Sequence, residues 1–115
     1  MLRINLLNLT LICVSTFLMS LGQLFWKLGL AQVNKLSIFA LLNFQLIIGF
    51  IAYFFATAVW LYLLKILPLS LLYPFTALSF VFGYILAYFV LGEPIQVRAI
   101  LGLVPIALGL LLIAK

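Results

Sequence analysis

Thr16, Ser20, Gln23 and Lys27 follow one another at spacings of four, three and four residues. On an α-helix that spacing puts all four side chains on one face. They stand within a long apolar run, and polar groups in such a run turn toward a bundle interior or a wet cavity because lipid solvates them poorly. Two readings are open. In the first, the hydroxyls and the amide hydrogen-bond between helices while Lys27 extends its ammonium to the interface. In the second, Thr16, Ser20, Gln23 and Lys27 form a polar wall that ends in a cation and attracts an anionic group.

Other residues extend this inventory. Tyr53, Thr57 and Trp60 share a helical face, with Gly49 one turn earlier; Trp60 reads either as an interfacial anchor or as the lining of a substrate groove. Pro74 follows Tyr73 within the run Leu67-Pro68-Leu69-Ser70-Leu71-Leu72-Tyr73-Pro74. Its missing N–H predicts a helix break there, with exposed backbone turned to a cavity or to protein. Ser79, Gly83 and Ala87 form a stripe of small residues that reads as packing, and Gly102 and Gly109, two turns apart, predict close helix–helix contact with a second subunit. Glu93 is the only acid. Placed at the start of a helix it would meet the positive end of the dipole and pair with Arg98, a structural role. Histidine is absent and Cys13 is the only cysteine, so no metal site, cofactor or acid–base catalysis is expected, and Cys13 reads as packing.

The elements that hold these residues follow from composition. Of the 115 residues 70% are hydrophobic and 6% charged, against roughly 45–50% and 25% in soluble domains, and lipid is the solvent that accommodates this surface. Cutting the chain at its charges, prolines and glycines gives four segments, about 4–30, 36–66, 69–91 and 94–114, each of the roughly 20 residues needed to span hydrocarbon. The expected fold is a single all-α membrane domain over 1–115, four transmembrane helices with antiparallel neighbours and short loops at 32–35, 65–68 and 92–94. Gly92 suits a helix C-terminus and Pro94 a first helical turn. Arg3 ahead of the first run raises a cleaved signal peptide, but the run is too long and Lys27 stands where a small-residue cleavage motif belongs, so a retained helix is expected.

The net charge of +5 comes from scarce acids and not from a basic cluster, which argues against nucleic acid as a partner. Arg3, Lys65 and Lys115 fall on the side of the termini and Lys27, Lys35 and Arg98 on the other. With three bases on each side the positive-inside rule assigns no orientation.

Gly22-Gln23 with Lys27, the run into Tyr73-Pro74, Gly92-Glu93-Pro94, and Gly102 with Gly109 together resemble the drug/metabolite transporter superfamily, its four-helix and EamA-like members. Small multidrug resistance pumps in that superfamily carry a proton- and drug-binding glutamate at the position of Met19, and a tryptophan at that of Thr76, while Tyr73 matches their tyrosine. Without a membrane-embedded acid, proton-coupled export of cations loses its physical basis. The pattern is closer to the subunits of the flippase for aminoarabinose linked to undecaprenyl phosphate, although Leu72 replaces their alanine, which leaves sugar identity open.

What that resemblance implies is a non-enzymatic transporter or flippase subunit of the bacterial inner membrane. Its cargo would be a polyprenyl-phosphate sugar or similar amphiphilic anion met by Gln23, Lys27, Tyr73, Thr76, Trp60 and Ser20. It would act as a homodimer, or as a heterodimer with a similar subunit or a membrane glycosyltransferase. The alternatives are a non-transporting accessory subunit of such a glycosyltransferase, and multidrug efflux of cationic compounds.

Overall fold

The computed structural model describes residues 5–33, 39 and 42–114. Arg3, Lys35 and Lys115 of the charge count, and Leu36 at the expected start of the second helix, lie outside them. Among the described residues four spans are long and apolar enough to cross a membrane: Leu6–Ala31, Phe44–Ile66, Leu69–Phe89 and Val97–Ala114. The chain is an all-α, multi-pass membrane protein. The first two spans are helices α1 (Leu6–Ala31) and α2 (Phe44–Ile66). The third is composite: a turn of helix α3 (Leu69–Leu72), a 3-10 segment (Tyr73–Ala77) and α4 (Leu78–Phe89); the fourth is α5 (Val97–Ala114).

Side-chain caps set boundaries that hydropathy does not show. Asn5 opens α1 by accepting the Asn8 amide at 2.7 Å. Asn43 accepts the Gln45 amide at 2.8 Å while holding non-helical backbone angles, an arrangement that satisfies an orphan donor of the first turn. Among the described residues the second helix runs from Phe44. At the same end of the bundle the third span stops at Phe89, two residues before the expected Leu91. Gly92 follows with φ +71°, and the Glu93 amide donates back to the Ala87 carbonyl at 3.1 Å, a reversal that only glycine makes without strain. Pro94 does not start the fourth helix. The Gln96 amide donates to the Tyr84 hydroxyl at 2.8 Å, and the Ala99 and Ile100 amides donate to the Gln96 carbonyl, so helical winding is delayed to Val97.

The α1–α2 pair is the tightest seam. At Gly22 and Gly49 the backbones meet: a Cβ on Gly22 would stand 2.9 Å from the Gly49 oxygen, and one on Gly49 would stand 2.7 Å from the Gly22 oxygen. The Trp26 indole lies over Gly49, stacks on Tyr53 with centroids 5.2 Å apart and tilts against Phe50 at 5.1 Å. Such close approach maximises dispersion contact, the main attraction left between helices when lipid removes the hydrophobic driving force. Farther along, the buried Ser15 hydroxyl donates to the Ala56 carbonyl of α2 at 2.9 Å. Ser15→Ala is expected to destabilise the full chain in detergent by about 0.6 kcal/mol, the usual scale of an interhelical hydrogen bond in membranes. Thr10→Ala, whose hydroxyl only returns to the Leu6 carbonyl of its own helix, should leave the melting midpoint unchanged.

A compact core of Ile12, Leu63, Leu67, Leu72, Phe75 and Leu110 closes the bundle where the N-terminal part of α1 meets the end of α2. Helix α5 attaches there through Leu110, Ile106 and Ile113 and is otherwise loosely held: 6% of its apolar window is buried against 33% for α1. Among the described residues a Cβ at Gly102 or Gly109 would meet nothing within 4 Å, so neither glycine makes a close contact there.

Candidate functional site: two polar clefts sharing a wall

Where the core closes one end of the bundle, α1 and α4 part toward the other. A polar link ties them midway: the Ser20 hydroxyl donates to the Ser79 carbonyl at 2.9 Å and to the Thr16 carbonyl of its own helix at 3.1 Å. Beyond it Gly83 and Ala87 carry too little side chain to fill the gap. The result is a cleft of about 330 Å³ lined by Ser20, Gln23, Lys27, Ser79, Gly83 and Glu93, among others. A Cβ on Gly83 would meet nothing within 4 Å. The small-residue stripe, expected to draw another helix close, does so at Ser79, which meets α1 through the Ser20 hydroxyl, while at Gly83 and Ala87 it lines the space facing α1.

A second cleft of about 370 Å³ lies around the junction of α1, α2 and the 3-10 segment, lined by Met19, Gln23, Tyr53, Thr57, Trp60 and Thr76. The 3-10 geometry builds one of its walls. Pro74 offers no amide to the Ser70 carbonyl, and the chain tightens into three-residue turns through Ala77. Hydroxyls bind two of the segment's own carbonyls, with Thr76 Oγ1 donating to the Tyr73 oxygen at 2.9 Å and Ser79 Oγ to the Thr76 oxygen at 2.6 Å. Gln23 and Ser79 line both clefts, which makes them the shared wall between a mid-bundle chamber and the charged mouth.

The structure thus brings together Gln23, Lys27 and Ser20 in the first cleft and Gln23, Trp60 and Thr76 in the second. Tyr73 is not among them. It is 64% exposed at the start of the 3-10 segment and lines neither cleft. Ser20 is 4% exposed and its one proton serves the α1–α4 link, so toward the cleft it offers only an oxygen lone pair. Thr16, on the same helical face, is fully buried with its hydroxyl donated to the Ile12 and Cys13 carbonyls. For these two hydroxyls the packing reading accounts for the contacts seen.

Glu93 is the main correction. It does not occupy the first turn of α5, which carries no acid. It stands at the mouth of the first cleft with Lys27, while Arg98 lines a separate shallow depression with Gln96, Val97 and Leu101. The reversal at Gly92 is what sends Glu93 back toward α1. Sequence reading also passed over Met19 as a cleft residue, Ser79 as a shared wall and Trp26 as the side chain over Gly49. Thr57 and Tyr53 were visible as partners of Trp60 on one helical face, but only the fold shows that Met19 and Gln23 of α1 and Thr76 of the 3-10 segment line the same open cleft. Among the described residues no group of three or more His, Cys, Asp or Glu side chains is placed to hold a metal.

Comparison with known proteins gives two relatives. The chain is 28% identical over 104 residues, 90% of its own length and 88% of the relative's, to the probable 4-amino-4-deoxy-L-arabinose-phosphoundecaprenol flippase subunit ArnE of Proteus mirabilis (strain HI4320). The chain resembles a flippase subunit. A second protein of that name, from Enterobacter sp. (strain 638), is 36% identical over 58 residues, covering 50% of this chain and 54% of the relative. No protein-family profile matches the chain, and no solved structure matches it. Both relatives are named as flippase subunits, transporters and not enzymes, and neither name points to export of cationic drugs.

Proposed function

We propose that this protein is a flippase subunit of the bacterial inner membrane that moves a polyprenyl-phosphate sugar between leaflets. The observation that carries the reading is the convergence of Lys27 and Gln23 on one polar cleft within an otherwise apolar bundle. A sugar phosphate loses its hydration on entering hydrocarbon, and an unpaired charge there is expensive. The Lys27 ammonium supplies a counter-charge and charge-assisted hydrogen bonds for the phosphate. Gln23 supplies both a donor and an acceptor for hydroxyls, at the wall shared with the second cleft, where Thr57, Thr76 and the Trp60 ring suit a sugar. The polyprenyl tail stays in lipid along the apolar outer faces.

Two features support assembly with a second subunit. The relatives are named as subunits, and the Gly102/Gly109 face of α5 is open within the chain, which suits a close helix pairing with a copy or a similar protein.

Reconstituted into vesicles, with any partner it needs, the wild-type chain is expected to translocate a polyprenyl-phosphate sugar, and the double variant Lys27→Ala/Gln23→Ala to lose most of that activity while its thermal midpoint holds. Full activity in the double variant would dismiss the site assignment. Native mass spectrometry of the same preparation reads the partner. A stoichiometric glycosyltransferase together with no flipping would favour the accessory-subunit reading.

A further inference from the structure

Pro105 stands inside α5, and the helix runs through it. Proline has no amide to donate to the Leu101 carbonyl one turn back, and its ring crowds that turn. A transmembrane helix tolerates the loss, yet it bends most readily where a rung of its ladder is missing. The packing of α5 divides at the same residue. Leu110 is its buried side chain, and Ile106, Ile113 and Ala114 pack with it against the core. All of these follow Pro105. Before it Val97, Leu101 and Val104 are exposed, and among the described residues a Cβ at Gly102 would meet nothing within 4 Å.

A polar contact holds the chain where this free half begins. The Gln96 amide donates to the Tyr84 hydroxyl of α4 at 2.8 Å. The bond is exposed, so water competes for both groups and the tie is weak. The turn ahead of it is fixed separately, through the Glu93 amide on the Ala87 carbonyl, which leaves residues 94–96 as the connection between the two.

We propose that residues 97–104 form an arm that swings on Pro105 and is latched to α4 by the Tyr84–Gln96 hydrogen bond. Release exchanges Tyr84 for water at the Gln96 amide, and the arm turns as a unit because its own helical hydrogen bonds are kept. Eight residues of helix are about 12 Å long, so a bend of about 20° at Pro105 carries the tip about 4 Å, enough to part the latch. The tip is joined through 94–96 to Glu93, a lining residue of the first cleft, so the swing moves the chain beside that mouth. The device needs no particular cargo, and its test stands or falls apart from the lipid-linked sugar reading.

The full-length protein carrying Cys13→Ser is placed in nanodiscs of phosphatidylglycerol and phosphatidylcholine. Spin labels at Leu30→Cys on α1 and Arg98→Cys on the arm are read by double electron–electron resonance, diluted with unlabelled protein so that only separations within one chain count. A control pair at Leu7→Cys and Leu112→Cys relates the anchored half of α5 to α1. With Tyr84 present the arm pair is expected to show a main latched separation and a displaced minority. Tyr84→Phe keeps the ring and removes the acceptor, and should raise the ratio of displaced to latched arms on the order of fivefold, the scale of one neutral hydrogen bond.

Pro105→Ala added to Tyr84→Phe restores the amide for the Leu101 carbonyl and should reverse most of that gain, with the control pair constant throughout. No gain in Tyr84→Phe overturns the inference, as does a gain that survives Pro105→Ala. A matching change in the control pair overturns it too, because the whole bundle would then have loosened.

Discussion

Gly49→Ala should separate α1 from α2 and lower the stability of the chain more than any other single methyl added to it. The new Cβ would stand 2.6 Å from Trp26 Nε1 and 2.7 Å from the Gly22 carbonyl oxygen, both inside the contact limit. The carbonyl belongs to a helix backbone, so relief requires the helices to move apart along their closest seam. The indole also packs against Tyr53 and Phe50, contacts it would have to give up to move aside. Overpacking of this kind costs about 1–3 kcal/mol, and the backbone partner puts Gly49→Ala toward the upper part of that range. Thermal unfolding in detergent measures the loss, and a shift of tryptophan emission reports the displaced indole. An unchanged midpoint with unchanged emission would mean that the Gly22–Gly49 crossing is looser than described.

Gly83→Phe should do the opposite, abolishing transport while leaving the fold intact. Nothing lies within 4 Å of a Cβ at this position, phenylalanine is a better helix former than glycine, and the ring would enter the cleft lined by Gln23, Lys27 and Glu93. A headgroup kept from Lys27 forfeits a charge-assisted hydrogen bond, so translocation should fall by about ten- to a hundredfold. The thermal midpoint should be unchanged or slightly raised. Gly83→Ala, with a methyl in the same open space, serves as the mild control. Normal translocation by a folded Gly83→Phe protein would move the pathway out of the α1–α4 cleft.

The two glycines look alike in the sequence, each a small residue inside an apolar run. Their difference is one of partners: Gly49 faces a backbone and an indole from α1, and Gly83 faces the gap that Ser20 and Ser79 hold open. Tyr73 and Thr76 differ in their surroundings in the same way. These residues are three apart in sequence, yet one turns to the exterior and the other lines the second cleft.

Composition and run length by themselves determined that this chain is a four-span helical membrane protein, because no arrangement of so many apolar side chains avoids lipid and each run is long enough to cross it. Helical spacing likewise put Ser20, Gln23 and Lys27 on a common face, since that periodicity is a local property of the backbone. Boundaries were less legible. Asn43 ends an apolar stretch that hydropathy treats as continuous, and Tyr84 captures the Gln96 amide from a distance in sequence. The location of Glu93 was decided only in three dimensions. A carboxylate four residues after one helix and four before the next is equally near both in sequence, and the handedness of the turn at Gly92 brings it to the Lys27 cleft. Periodicity states which way a side chain points from its own helix; what stands opposite depends on how the helices are set against one another, and the charged mouth is a product of that setting.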